Sequence, residues 1–124
     1  MSAPIAFFFD FSSPYAYFAA HQVDALAARH GREVDWRPIL LGPAFQASGN
    51  QPLVVQPLKG DYCRHDWDRI GRATGIPWRM PDPFPIPTLA AARATWWLRE
   101  TDAALSRRFA LAVFRAFFGE GRDI

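Results

Sequence analysis

From Ile5 to Phe11 the chain is apolar at every position but Asp10, and it leads straight into Ser12-Ser13-Pro14-Tyr15. A short apolar run without alternation suits a strand covered on both faces, as in a parallel sheet between helices. Ser13 and Pro14 then open a helix. Pro14 fits the first helical position, where its missing N–H costs nothing, and Ser13 fits the N-cap. The chain thus places a hydroxyl at the carboxyl end of a buried strand, where open α/β sheets hold their ligands. Asp10, the one charge of the strand, lies at that same end.

Beyond this stretch Ala19, Val23 and Leu26 share a helical face, with Gln22, Asp24 and Arg29 elsewhere, and Gly31 is placed as the C′ stop. Glu33 to Arg37 alternates around Val34 and Trp36, a second strand that Pro38 closes or pushes to an edge. Strand, helix, strand in this compact form is a right-handed parallel βαβ unit. Gly42 to Lys59, with Gly42, Pro43, Gly49, Asn50, Pro52 and Pro57, reads as an irregular crossing with one helical turn near Ala44 to Ala47. A loop of that length in a compact domain is usually functional or mobile.

From Tyr62 onward the pattern is helical. Cys63, Trp67 and Ile70 form one stripe, ended by Gly75 and Pro77. A proline-dense connection, Met80 to Pro87, precedes a helix capped by Thr88 that carries Leu89, Ala92 and Trp96 inward. The last helix opens near Asp102, buries Leu105, Phe109, Val113 and Ala116, and stops at Gly119. The expected class is α/β, with a βαβ half at residues 1–45 and a loop and helical block at 46–124. Two parallel strands cannot bury both faces of the first, and so small a sheet has open edges. Further strands come either from another chain or from a longer polypeptide of which this is a fragment; the fragment reading is favoured.

The 124 residues suit one domain. With 14 basic and 12 acidic side chains and no Lys/Arg run, nothing argues for nucleic acid. The apolar runs are too short to span a bilayer, and no basic n-region precedes an h-region. A single cysteine, Cys63, excludes an intramolecular disulfide and fits a reducing compartment, with the cytoplasm as default.

Ser13 is the leading site candidate. It is either an ordinary N-cap or a hydroxyl that, with the helix N-terminus, stabilises a thiolate or oxyanion; Ser12 is an alternative cap. No Ser-His-Asp arrangement is legible, since His21 and His30 fall on one helix. Cys63 has no C-x-x-C partner and reads as a buried structural thiol. His21, His30 and His65 show no metal-ligand spacing, so no metal is expected. Lys59 and Tyr62 flank Gly60-Asp61 at the start of a helix, either as a solvated first turn or as a cation and phenol facing an anionic ligand. Asn50 is a turn residue or a ligand amide contact. The five tryptophans either line an aromatic-substrate pocket or fill the core.

Phe9-Asp10-Phe11-Ser12-Ser13-Pro14-Tyr15-Ala16-Tyr17 resembles the opening of 2-hydroxychromene-2-carboxylate isomerases. These are relatives of kappa-class glutathione transferases in the disulfide-oxidoreductase branch of the thioredoxin superfamily. Gly49-Asn50, Lys59 to Tyr62, Gly75-Ile76-Pro77, Phe84-Pro85 with Leu89 to Arg93, and Phe118 to Ile124 match that family in order. The resemblance implies a thioredoxin-like βαβ half followed by an α-helical insertion block, with the C-terminal strands of the fold and the cis-proline loop absent from this chain.

It also implies that Ser13 is the catalytic serine, that glutathione is the cofactor, and that Asn50, Lys59 and Tyr62 lie around glutathione or the substrate carboxylate. The implied reaction is isomerisation of 2-hydroxychromene-2-carboxylate to trans-o-hydroxybenzylidenepyruvate in bacterial aromatic catabolism. Thiolate addition makes a double bond rotatable, and expulsion of the thiol restores it. The implied partners are a small aromatic carboxylate and a second copy of the chain as a homodimer, with no nucleic acid and no membrane. Two other readings stay open: a kappa-like glutathione transferase, and a non-catalytic fragment that binds glutathione or a partner.

Overall fold

The computed structural model of the chain describes residues 3–124. Strands β1 (Ile5–Phe9) and β2 (Val34–Pro38) pair in parallel, with Phe7 opposite Trp36 and Phe9 opposite Pro38. Two short helices, α1 (Pro14–Ala20) and α2 (Val23–Arg29), join them where the sequence reads as one. The break falls at His21 and Gln22, whose side chains reach back. His21 Nδ1 meets Tyr17 O at 2.9 Å, and Gln22 Nε2 donates to Phe18 O at 3.3 Å. Side chains that satisfy the last carbonyls compete with continuation of the helix. The break re-aims the apolar face, so Tyr17, Phe18, Ala20 and Ala27 are buried while Ala19 and Leu26, expected inside, face solvent. His21 and His30 therefore end two different helices. Gly31 follows with φ 63°, the left-handed stop expected of it.

β1 is covered on one face only among the described residues. Phe9 is buried and Phe7 half-buried, but Phe8 is 56% exposed under the Arg37 guanidinium, 5.7 Å from its ring centre. Successive strand side chains point to opposite faces, so cover from one side splits even an all-apolar run. β2 is tied to both neighbouring helices. Trp36 Nε1 donates to Asp24 Oδ1 of α2 at 3.0 Å. Arg99, from helix α5 (Leu89–Thr101), forks onto Asp35 at 2.7 and 2.9 Å, and Arg37 adds a bond at 2.7 Å.

Helix α3 (Leu41–Ser48) occupies ground where one turn was expected, and it runs through the 45/46 division. Its N-cap residue, Leu40, offers no side-chain acceptor, which is why the sequence does not announce it. Gly49 ends it at φ 73°. A 3₁₀ turn (Leu53–Val55) leads to α4 (Lys59–Thr74), which buries Cys63 and Trp67 and stops at Gly75, φ 73°. α4 begins three residues before the expected Tyr62. Gly60 permits that, because a Cβ there would stand 2.8 Å from Val54 O of the 3₁₀ turn.

Helices α5 and α6 (Ala103–Phe114) form an antiparallel-type hairpin around Asp102, whose side chain accepts Leu105 N–H at 3.0 Å. The buried positions are Ala91, Ala92 and Thr95 against Ser106 and Ala110, with Ser106 Oγ donating to Thr95 O at 2.8 Å. Of the expected inward stripes of Leu89, Ala92 and Trp96, and of Leu105, Phe109, Val113 and Ala116, Ala92 is buried and Val113 packs against the core, while the large ends of both stripes are displaced. Close helix approach selects small side chains, so Leu89, Trp96 and Leu105 turn outward. A π-helical turn (Arg115–Gly119) follows and buries Phe117 and Phe118.

The core is one aromatic cluster. Phe114 meets Phe9 and Phe11 at ring distances of 5.5 and 5.0 Å, and Phe118 meets Tyr17 and Trp78 at 5.5 Å each. The Tyr17 hydroxyl donates to Pro77 O. Full burial of one such ring stabilises by about 1.5–3 kcal/mol. No helix among the described residues is long and apolar enough to cross a membrane.

Candidate active site

Ser13 is the N-cap of α1: φ is −101°, ψ is 112°, and its Oγ accepts Ala16 N–H at 3.2 Å, with Pro14 at the first helical position. The capping role is therefore real. It leaves the hydroxyl hydrogen free, since a serine oxygen can accept and donate at once, and no acceptor for that hydrogen stands among the described residues.

The same side chain faces a cavity of about 500 Å³. That size lies within the roughly 300–1,000 Å³ usual for small-molecule sites. Its walls come from four segments: residues 12–15 at the start of α1, residues 40–45 of α3, residues 52–54 at the 3₁₀ turn, and residues 84–89 leading into α5. Trp67 of α4 completes it. The wall is largely apolar, with Phe45, Trp67, Phe84 and Tyr15 as aromatic members among prolines and aliphatic side chains.

Asp10 lies under this cavity, 6% exposed. Its Oδ1 accepts Ser12 N–H at 2.8 Å and the Thr88 hydroxyl at 2.7 Å, and its Oδ2 accepts Leu41 N–H at 2.8 Å. A buried carboxylate is tolerated when such donors satisfy it. Asp10 thereby supplies to α3 the cap that Leu40 lacks. Thr88 stands at the N-cap of α5 as expected, but it gives its hydroxyl to Asp10 and not to the helix.

Tyr15 stands at the cavity edge, its ring 5.8 Å from that of Trp67 and its hydroxyl donating to Asp66 Oδ2 at 2.7 Å. Burial, then the Asp66 hydrogen bond and charge, push its phenol well above the usual range, so it stays protonated.

The other sequence candidates stand apart from the cavity wall. Asn50 turns its Oδ1 to Gln51 N–H at 2.8 Å and to Gln56 Nε2 at 3.3 Å, as a turn residue does. Lys59 is exposed at the start of α4. Tyr62 is 61% exposed beneath the Arg69 guanidinium, 5.7 Å from its ring centre. The structure thus brings Ser13 into the cavity and leaves Asn50, Lys59 and Tyr62 off its lining.

Cys63 is buried, donates to Gly60 O at 3.1 Å, and has its thiol pushed up by burial. It is a structural thiol. Among the described residues no group of His, Cys, Asp and Glu could hold a metal ion. Trp36 and Trp67 are core residues, Trp67 lining the cavity as well, while Trp96 and Trp97 are exposed. Sequence reasoning missed the linking role of Asp10 and the wall at residues 40–45. A lone charge closing an apolar strand was the available signal, but its partners lie 31 and 78 residues away.

The DSBA-like thioredoxin domain family matches residues 4–124. The chain is 42% identical over 127 residues to a 2-hydroxychromene-2-carboxylate isomerase of Sphingobium xenophagum, covering 99% of this chain and 62% of that one. To glutathione S-transferase kappa 1 of Caenorhabditis elegans it is 30% identical over 126 residues, covering 97% and 56%. A solved structure of 2-hydroxychromene-2-carboxylate isomerase superposes with a TM-score of 0.79 at 27% identity, over 97% of this chain and 58% of that one. The chain thus spans 56–62% of the length of these curated relatives.

Proposed function

Since this chain belongs to the DSBA-like thioredoxin domain family, with the thioredoxin-like fold that the sequence implied, we propose that it carries the serine half of a glutathione-dependent isomerase site acting on 2-hydroxychromene-2-carboxylate. The observation that carries this reading is the Ser13 hydroxyl, capped on its oxygen, free on its hydrogen, and facing the cavity. The donor set fits a thiol ligand. A hydroxyl hydrogen aimed at sulfur favours the ionised form over the neutral one, and no thiol of the chain itself lines the cavity.

Bound glutathione would supply the nucleophilic thiolate that makes a conjugated double bond rotatable by reversible addition. The chain's own residues do the rest. Ser13 donates to the sulfur, Trp67, Phe45 and Phe84 present apolar faces to a flat aromatic acid, and Tyr15 closes one edge as a neutral phenol. Lys59, Asn50 and Tyr62 are proposed as outer contacts for the charged ends of glutathione or the substrate. Lys59 is the best placed by chemistry, as a counter-charge next to Gly60, whose backbone abuts the cavity-wall residue Val54. A cytoplasmic setting, a role in bacterial aromatic breakdown and homodimeric assembly belong to the same proposal.

The test is glutathione titration of the purified protein with thiolate absorbance as readout, followed by an isomerisation assay. Binding with a lowered thiol pKa in the wild type and not in Ser13→Ala is the expected result. Identical titrations in the two proteins would end the proposal. The likeness to the kappa transferase favours a second reading, conjugation of glutathione to an electrophile. Turnover of an aryl halide without isomerisation would select it.

A further inference from the structure

Asp10 is the one charged side chain among the residues lining the cavity. Its main chain and side chain act together on the turn that presents Ser13. Asp10 O accepts Ser13 N–H at 2.9 Å while Oδ1 accepts Ser12 N–H at 2.8 Å. Two successive N–H groups are thus fixed by one residue, immediately before the hydroxyl that faces the cavity. The carboxylate then reaches outward, to Leu41 N–H on α3 and to the Thr88 hydroxyl ahead of α5. Ser12 Oγ adds a long bond from Ile86 N–H at 3.4 Å. Three of the four wall segments meet on this carboxylate.

An aspartate that only made a local turn would need the Ser12 bond and nothing more. It would also sit better in water, since burying a carboxylate is costly unless donors surround it. Here the donors come from residues distant in the chain and adjacent in the cavity. They belong to three of the walls, so moving any of those three moves the carboxylate, and moving the carboxylate moves the Ser13 turn.

We propose that Asp10 is the positioning residue of this site: it fixes the direction of the Ser13 hydroxyl and couples that direction to the α3 and α5 walls. The donors its carboxylate accepts from are all the chain's own, so its part is to position Ser13. The proposal rests on the reading of Ser13 as a hydrogen-bond donor to a bound thiolate. Asn cannot replace Asp here. Its single oxygen serves either Ser12 N–H or Leu41 N–H, and the other then faces an NH₂ group that cannot accept.

The experiment uses the whole chain with glutathione as the probe, in the wild type, Asp10→Asn, Thr88→Val and Thr88→Ser. Two readouts are taken: the pH titration of bound thiolate absorbance, and amide hydrogen exchange at Ser12, Ser13 and Leu41. In Asp10→Asn the bound thiol titrates at higher pH, glutathione binds about tenfold more weakly, the scale of a lost charge-assisted hydrogen bond, and the three amides exchange faster. Thr88→Val shows the same change in smaller degree, and Thr88→Ser restores the wild-type thiol titration. A folded Asp10→Asn protein that binds glutathione with the wild-type affinity and thiol titration overturns the positioning role while leaving the proposed function standing. If Asp10→Asn does not fold, the valine and serine variants decide, and equal thiol titrations in the two overturn it. If the wild type binds no glutathione, the proposed function fails. Amide exchange then decides separately: selective acceleration at the three amides supports the control of the turn by Asp10, and unchanged exchange overturns it.

Discussion

The Tyr15 hydroxyl donates to Asp66 Oδ2 at 2.7 Å, which pins the first turn of α1 to the middle of α4 at the edge of the cavity. Tyr15→Phe removes this bond and keeps the ring beside Trp67, so stability should fall by about 0.5–1.5 kcal/mol. The effect has a pH signature. The folded phenol titrates above its ordinary value near 10, so its contribution is complete below about pH 10 and is lost as the pH rises further. Denaturant melts should show a gap between wild type and Tyr15→Phe at neutral pH that narrows in strong alkali. A gap that widens there would contradict the assignment.

Capping and chemistry at Ser13 separate in a pair of variants. Ser13→Ala should cost about 1 kcal/mol of stability as a lost cap, and Ser13→Gly only a few tenths. Both lack the hydroxyl, so both should lose the lowered thiol pKa of bound glutathione to the same extent. Thermal melts and thiolate titrations on the two proteins check this. Thiol pKa values that tracked the melts instead would make Ser13 a cap and nothing else.

Asp35 lies between Arg99 and Arg37. Partial burial pushes its carboxyl up, but hydrogen bonds from Arg99 and then Arg37 outweigh that and hold it below the usual carboxylate range. The stabilisation is therefore present above about pH 4, the unfolded value, and disappears as the pH falls through the lower folded value. Asp35→Asn should be less stable than wild type at neutral pH by about 1 kcal/mol, discounted for partial exposure. The two proteins should converge in acid, as measured by urea unfolding.

Two glycines predict opposite outcomes. Gly60→Ala drives a Cβ to 2.8 Å from Val54 O, a backbone atom, and should destabilise by about 1–3 kcal/mol. Gly42 lies inside α3 with nothing within 4 Å of an added Cβ, so Gly42→Ala should stabilise by about 0.5–1 kcal/mol. Melting temperatures decide both.

The parts of the fold that were legible in sequence have their causes within a few residues. Ser13-Pro14 starts α1, Gly31 and Gly75 end their helices, Val34 and Trp36 alternate through β2, and Cys63, Trp67 and Ile70 mark the inner face of α4. The start of α3 was not legible, because Leu41 takes its acceptor from Asp10. Nor was the α5–α6 contact, where Thr95, Ser106 and Ala110 go inside and rank below leucine and tryptophan on any hydrophobic scale. For the site, the hydroxyl was visible and its surroundings were not. A cavity wall assembled from four segments leaves no spacing to read.

The aromatic cluster carries a thermodynamic consequence. Phe9, Phe11 and Tyr17 from the βαβ part share ring contacts with Phe114, Phe118 and Trp78 from the helical part. Neither part can release its core without exposing the other's, so partial unfolding of one should forfeit most of the stability of both. Loss of structure should then be all-or-none: far-ultraviolet dichroism and tryptophan fluorescence should trace one curve, with a single midpoint.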